Sequence, residues 1–373
     1  MQKMIKPKLY ILLLILVITV SFAGCGGGSG PWNGYAKQSF YFDTICEITI
    51  FGFSEGVVED STEEGFTKAC DEVIADTFKL MSDYEDTLSR TVEGSDVDRL
   101  NKAGGEAVKV SPETLEVIEK GMEFGDISSG AFDITVGKAS ELWDFHESLT
   151  EEPSEVPSKE ALKEASKHID YTKIRVDEKA GTVKLTDPEM MLDLGGIAKG
   201  YIADKTAEYL RSRGVTSAIV NLGGNIEVVG GKTQGYTSGD QEWTDFSLGI
   251  RDPGSSTGGL LGVYPGKDVT VVTSGTYERF IEVDGVRYHH ILDPETGYPV
   301  DTDVEQVSII AQSGHSVDCD GLSTACLALG VEKGTELIHE LNRDGRFGEI
   351  EGIFVSTEGE VTYTKEDTVF MAE

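Results

Sequence analysis

Several segments of this chain bring together residue types that chemistry uses. Asp320 and Thr324 stand four apart in a stretch of helical pattern, so a carboxylate and a hydroxyl share one helix face. Two hard oxygens with room for a carbonyl and for ligand phosphates suit magnesium, which seldom uses a full protein cage. The alternative is that Asp320 caps the helix and Thr324 bonds back to it. Asp193-Leu194-Gly195-Gly196-Ile197-Ala198-Lys199-Gly200 reads as a short apolar strand, a glycine-pair turn and a helix start. Such a junction offers backbone N–H groups and the positive end of the helix dipole to an anion, and the missing side chains let a phosphate come close. Lys199 adds a point charge. Asp193, which a phosphate would repel, suits a hydrogen bond from a ribose or a base. A plain tight turn is the competing reading.

His289 and His290 are two of six histidines in the chain, and they precede the turn Asp293-Pro294-Glu295-Thr296-Gly297. Histidine is the natural proton acceptor near neutral pH, although one that merely bonds the turn would look the same. Asn221-Leu222-Gly223-Gly224-Asn225 and Thr273-Ser274-Gly275-Thr276-Tyr277-Glu278 add glycines flanked by amides and hydroxyls, as strand-end turns do.

These residues need elements to hold them. A strand pattern runs from Ser39 to Phe51, and helical spacing of Phe66, Ala69, Val73, Phe78 and Met81 predicts a helix over 64–81. Ser111-Pro112 reads as a helix start. Helices are predicted over 159–168, 197–213, 315–329 and 333–342. Short strands are predicted at 174–176, 182–185, 218–220, 246–250, 269–273, 279–283 and 304–310, with a hairpin about Glu358-Gly359. The order does not alternate as βαβ units do, so the expected class is α+β with mostly antiparallel sheets. Loops that read as mobile are 151–158, 231–241 and 254–259.

With 66 acidic against 32 basic residues the net charge is -34, which excludes bulk attraction to nucleic acid. The three lysines before a short apolar run, Leu9 to Val20, then Ser21-Phe22-Ala23-Gly24-Cys25, form a secretion signal over 1–24, too short to span a membrane. Small residues ahead of Cys25 resemble a lipobox, which implies cleavage there and lipidation of the thiol; an ordinary signal peptide followed by an incidental cysteine is the competing reading. Residues 25–38 are then a Gly-rich tether, and residues 39–373 one domain held outside the cytoplasmic membrane. Cys46, Cys70, Cys319 and Cys326 show no CxxC pairing and read as buried small hydrophobes.

Taken in order, these segments resemble the ApbE family of FAD:protein FMN transferases, from about Phe42 to Gly330. The resemblance rests on Ser129-Gly130-Ala131-Phe132-Asp133-Ile134-Thr135-Val136-Gly137, Leu142-Trp143, the 193–200 junction, Asn221 to Asn225, Gly249-Ile250-Arg251-Asp252-Pro253, Thr273 to Tyr277, His290 to Gly297 and Asp320 to Gly330. It implies that FAD is the substrate, that FMN passes to a Thr or Ser of an exported acceptor protein, and that AMP leaves. It implies Mg2+ on Asp320, Thr324 and the Gly196 carbonyl, and the flavin nucleotide on Tyr84, Ala131, Phe132, Asp133, Asp193 and Lys199. His290 is then the base for the acceptor hydroxyl. One departure stands out: Phe42-Asp43-Thr44 replaces the usual Met-Gly-Thr, which restricts the backbone and brings charge near the flavin ring. A FAD pyrophosphatase and a flavin-capturing lipoprotein remain as other readings.

Overall fold

A computed structural model describes residues 34–58, 62–145, 155–232, 243–255 and 258–365. The expected signal segment, Cys25 and most of the tether lie outside the described residues, as do parts of the three expected mobile loops. No helix among the described residues is long and apolar enough to cross a membrane.

The architecture is α+β. Strands β1 (Tyr35–Tyr41), β2 (Thr44–Phe53), β6 (Val215–Leu222), β7 (Asn225–Val229), β10 (Val269–Gly275), β13 (Val304–Gln312), β14 (Glu351–Ser356) and β15 (Val361–Tyr363) form one eight-stranded sheet in the order β1-β2-β6-β7-β10-β13-β14-β15, with every neighbouring pair antiparallel. Side chains alternate across a strand. Cys46, Ile48 and Ile50 therefore meet the helices, in one core with Phe66, Cys70 and Ile74 of α1 (Glu63–Leu88), Ile202 and Ala203 of α6 (Ala198–Ser212), and Leu322 and Cys326 of α7 (Ser316–Leu329). Phe51, Val228, Val271 and Ile310 face the other way, under Phe246, Leu248 and Ile250 of a ribbon made by β8 (Phe246–Arg251) and β9 (Leu260–Gly266).

Around this frame lie α2 (Asp96–Asn101), α3 (Pro112–Ile127) and a small sheet of β3 (Val108–Lys109), β5 (Thr182–Leu185) and β4 (Ile174–Asp177). Ser111 caps α3 as its sequence predicts, accepting from the Thr114 amide at 3.1 Å. Helices α4 (Gly137–Trp143) and α5 (Lys159–Ser166) share a third core with the hairpin of β11 (Phe280–Val283) and β12 (Val286–His289), and the Trp143 indole donates to the Gly297 carbonyl at 2.7 Å. Helix α8 (Val331–Asp344) follows α7. The four described cysteines are free and buried.

Two local expectations change. The stretch 39–51 is not one strand, because Phe42 and Asp43 turn the chain back and pair Tyr41 with Thr44. No Gly or Asn-Gly marks that turn, so its sequence reads as continuous strand. The segment before the glycine pair makes only a single parallel bridge, Val136 with Met191. The side chain of Asn101 serves as its neighbour instead, accepting from the Leu192 amide at 2.7 Å and donating to the Leu192 carbonyl at 3.0 Å.

Helices α6 and α7 cap each other. Neither has a side-chain N-cap of its own, since Ile197 and His315 hold those positions without capping bonds. Asp320 of α7 accepts from the Gly200 amide at 2.8 Å, and Asp204 of α6 accepts from the Ser316 and Val317 amides at 2.9 Å each. Each carboxylate satisfies amides that the other helix leaves open in its first turn. The approach requires Gly200, where a Cβ would stand 2.3 Å from the Ser316 carbonyl oxygen and 2.7 Å from Cβ of Asp320. Gly200→Ala is expected to cost about 2–3 kcal/mol as an overpacked contact, read as a lower urea midpoint. An unchanged midpoint would mean the helices are not held this tightly.

Candidate active site

The helix pair, the glycine turn and the two hairpins enclose a cavity of about 960 Å³, near the top of the roughly 300–1,000 Å³ range of small-molecule sites. Ala131, Phe132, Asp133, Asp193, Gly196, Lys199, His290, Asp320 and Thr324 all line it. Tyr84 does not. Its ring stands edge-on to Tyr201 at 5.9 Å, on the side of α1 that meets α6, and the next residue, Glu85, reaches the cavity instead.

The Asp-Thr pair lies against the glycine turn. Asp320 is 1% exposed, with Oδ2 bonded to the Gly200 amide and Oδ1 3.6 Å from the Lys199 ammonium. Asp320 thus caps α6 rather than its own helix, and the residue that bonds back to it is Ser323, whose hydroxyl donates to the Asp320 carbonyl at 3.0 Å. Thr324 Oγ1 lies 3.5 Å from Ser274 Oγ and 3.6 Å from where a Cβ on Gly196 would stand. That same Cβ would press to 3.0 Å on the Phe132 ring, so glycine lets the turn sit close to both. Among the described residues no group of three His, Cys, Asp or Glu side chains gathers to hold a metal. The donors at hand are the Asp320 carboxylate and the hydroxyls of Thr324 and Ser274, beside the glycine-pair turn. This hard-oxygen set, with room left for water and phosphate, fits magnesium and not zinc.

Asp193 and Asp133 are engaged by the protein itself. Asp193 accepts from the Gly195 amide at 2.9 Å and pairs with Arg90 at 3.0 Å. Burial alone would raise its carboxyl, but Arg90 and the Gly195 amide hold it below the usual range. Asp133 accepts from the Thr135 amide and hydroxyl and from the Tyr171 amide, which fixes the loop that presents Ala131 and Phe132. Burial pushes its carboxyl up.

The two histidines divide. His289 is buried, with Nε2 3.2 Å from the carbonyl of Val300, in the segment that follows the turn. His290 faces the cavity, and its Nδ1 lies 3.1 Å from the Arg279 carbonyl. A carbonyl only accepts, so Nδ1 carries the proton and Nε2 keeps its lone pair. Burial, then the Arg279 and Lys199 charges, drive the ring down to about 3, so it is neutral at pH 7.

Glu278, Arg279, Arg251 and Tyr277 complete this wall. The Glu278 carboxyl is open to cavity water yet closed in by protein on its other sides. Enclosure raises it to about 7, with Lys199 opposing and Asp320 assisting. Arg90, Glu85 and Arg279 carry no local sequence signal of a role here. Arg90 meets Asp193 across 103 positions, and Arg279 follows directly on a segment that is itself distinctive.

Comparison with known proteins gives a consistent picture. The ApbE family profile matches residues 42–347. The FAD:protein FMN transferase of Treponema pallidum (strain Nichols) is 36% identical over 335 residues, 87% of each chain. That of Klebsiella pneumoniae (strain 342) is 36% identical over 290 residues, 77% of this chain and 83% of its own. Among solved structures, the ApbE protein of Thermotoga maritima superposes with a TM-score of 0.76 at 30% identity, covering 91% of this chain and 99% of its own.

The depressed His290 sets a pH dependence. The unfolded ring binds a proton below its ordinary value of 6.5, while the folded ring waits until about 3. Between those values the unfolded state holds more protons, so this group's stabilisation is complete above 6.5 and is lost as pH falls. His290→Gln should therefore lose less stability than the wild type between pH 7 and pH 4 in urea titrations. Identical losses would place the ring in contact with bulk water.

Proposed function

The chain belongs to the ApbE family, and on that premise we propose that it is a FAD:protein FMN transferase which splits the FAD pyrophosphate, joins FMN by a phosphoester to a Thr or Ser of an acceptor protein and releases AMP. The observation that carries this reading is that a glycine-pair turn at a helix N-terminus, Lys199, the Asp320–Thr324 pair and a neutral His290 all face one cavity. A protein of charge -34 has to supply positive potential locally to bind a pyrophosphate, and the α6 N-terminus and Lys199 supply it.

Asp320, Thr324 and the Gly196 carbonyl would hold magnesium, which when bound withdraws charge from phosphate oxygens. Ala131 and Phe132 form the wall against which the nucleotide rests. The Arg279 carbonyl keeps His290 in the tautomer whose Nε2 can take a proton. As the acceptor oxygen bonds to the FMN phosphorus and the bridging P–O bond breaks, that proton moves from the hydroxyl to Nε2, and AMP departs with the bridging oxygen. The anionic substrate would also offset the Arg279 and Lys199 charges that, after burial, hold the ring's basicity down, so its basicity would rise with FAD bound. The proposed setting is the outer side of the cytoplasmic membrane, with a lipid on Cys25; the basic, apolar and small-residue pattern ahead of that cysteine supports it.

With FAD, magnesium and an acceptor, the expected product is a protein band that stays flavin-fluorescent after denaturation. Free FMN and AMP without a labelled band would instead identify a hydrolase. Asp320→Asn, which keeps an oxygen for the Gly200 amide, should lower metal-dependent turnover by about a hundredfold or more while the fold persists. His290→Ala should cut transfer by a factor of about a hundred to ten thousand with FAD affinity nearly unchanged; equal loss of both would demote the histidine to a structural part. Cys25→Ser should move the protein from the membrane to the soluble fraction, and continued membrane retention would reject the anchor.

A further inference from the structure

An acceptor has to bring its hydroxyl into the cavity, so a protein partner meets the rim around it. One side of that rim is the β1–β2 hairpin, whose residues Phe42, Asp43 and Thr44 line the cavity. Phe42 and Asp43 are both left-handed, with φ of 54° and 57°, a conformation that a bulky residue rarely holds without support. Support is present. Glu85 accepts from the Phe42 amide at 2.6 Å, Arg279 donates to the Phe42 carbonyl at 3.1 Å, and the Arg279 guanidinium lies 3.6 Å from the Asp43 carboxylate. The same Arg279 orients His290 through its carbonyl, so the tip and the histidine share one fixed reference.

Directly outside this turn Phe40 and Ile45 face each other across the two strands. They are 62% and 60% exposed, the highest values for large hydrophobic side chains among the described residues. Both lie on the sheet face turned away from the helices. Farther along that face, the apolar side chains of β2, β7, β10 and β13 are covered by the β8–β9 ribbon, but this pair is not. Strand β1 is also outermost in the sheet, and nothing among the described residues pairs with its outer side. A rigid apolar patch beside a free strand edge is a recurrent way to bind an extended segment.

Building on the transferase reading, we propose that this corner is the docking surface for the acceptor: an extended segment laid along β1, with an apolar side chain over Phe40 and Ile45 and its Thr or Ser hydroxyl turned past Phe42-Asp43 toward His290. The net charge of -34 repels acidic segments, so the fitting segment is uncharged or basic.

The test compares wild type with a Phe40→Ser, Ile45→Ser double variant, both sites being exposed. The acceptor probe is an extract of envelope proteins from cells that carry the enzyme, supplied with FAD and magnesium. Fluorescent bands after denaturation report transfer, and flavin fluorescence titration reports FAD affinity. The expected result is a fall of about tenfold or more in labelling rate at limiting extract, recovered at high extract, with FAD affinity within about twofold of wild type. Labelling at the wild-type rate overturns the docking surface. A matching loss of FAD affinity overturns it too, because the tip would then serve the nucleotide. If the wild type labels no band, the transferase reading fails and the docking surface with it.

Discussion

Two helices that lack caps of their own and borrow them from each other set the geometry of this protein. An uncapped helix start buried in a core leaves amides without partners, a cost that burial alone does not offset. Asp320 and Asp204 remove it reciprocally, and Gly200 lets the backbones come near enough for the exchange. Because α6 begins at the glycine-pair turn, this docking also brings Asp320 and Thr324 to that turn. The carboxylate read as a metal ligand is thus also a joint of the scaffold, so its position is as fixed as the core.

The cavity combines opposite electrostatic devices over a short span. Lys199, Arg279, Arg251 and the α6 start supply positive potential, while Asp193 and Glu278 keep acidic groups in the same walls. Their titration behaviour separates according to partner. Arg90 holds Asp193 ionised, whereas enclosure beside Asp320 leaves Glu278 balanced near neutrality. His290 is held neutral first by burial and then by the Arg279 and Lys199 charges that would bind an anionic ligand. Filling the site therefore changes the proton affinity of the groups around it.

Much of this was legible in the residues. Periodicity located α1, the Ser111-Pro112 cap signal located α3, and the pattern also gave α6, α7 and most strands, while the glycine-rich and Asp-x-x-x-Thr segments line one cavity. What local pattern could not reveal was pairing across distance. Arg90 with Asp193, Asp204 with the start of α7, and Arg279 with the hairpin tip are contacts between remote positions whose identities look ordinary in sequence. Tyr84 shows the converse. The family resemblance places it at the nucleotide, whereas within α1 its ring turns to Tyr201 and the next residue, Glu85, lines the cavity. The Phe42-Asp43 turn escaped because the fold imposes left-handed backbone on residues that do not prefer it.

The buried thiols carry a further consequence. Burial drives Cys46 up to about 11 and Cys326 up to about 12, and raises Cys70 and Cys319 as well. Thiolate, the form that oxidants attack, is therefore scarce at all four near neutrality. Oxidants attack a thiolate far faster than a thiol. The described cysteine sulfurs of this scaffold are thus held in the less reactive form.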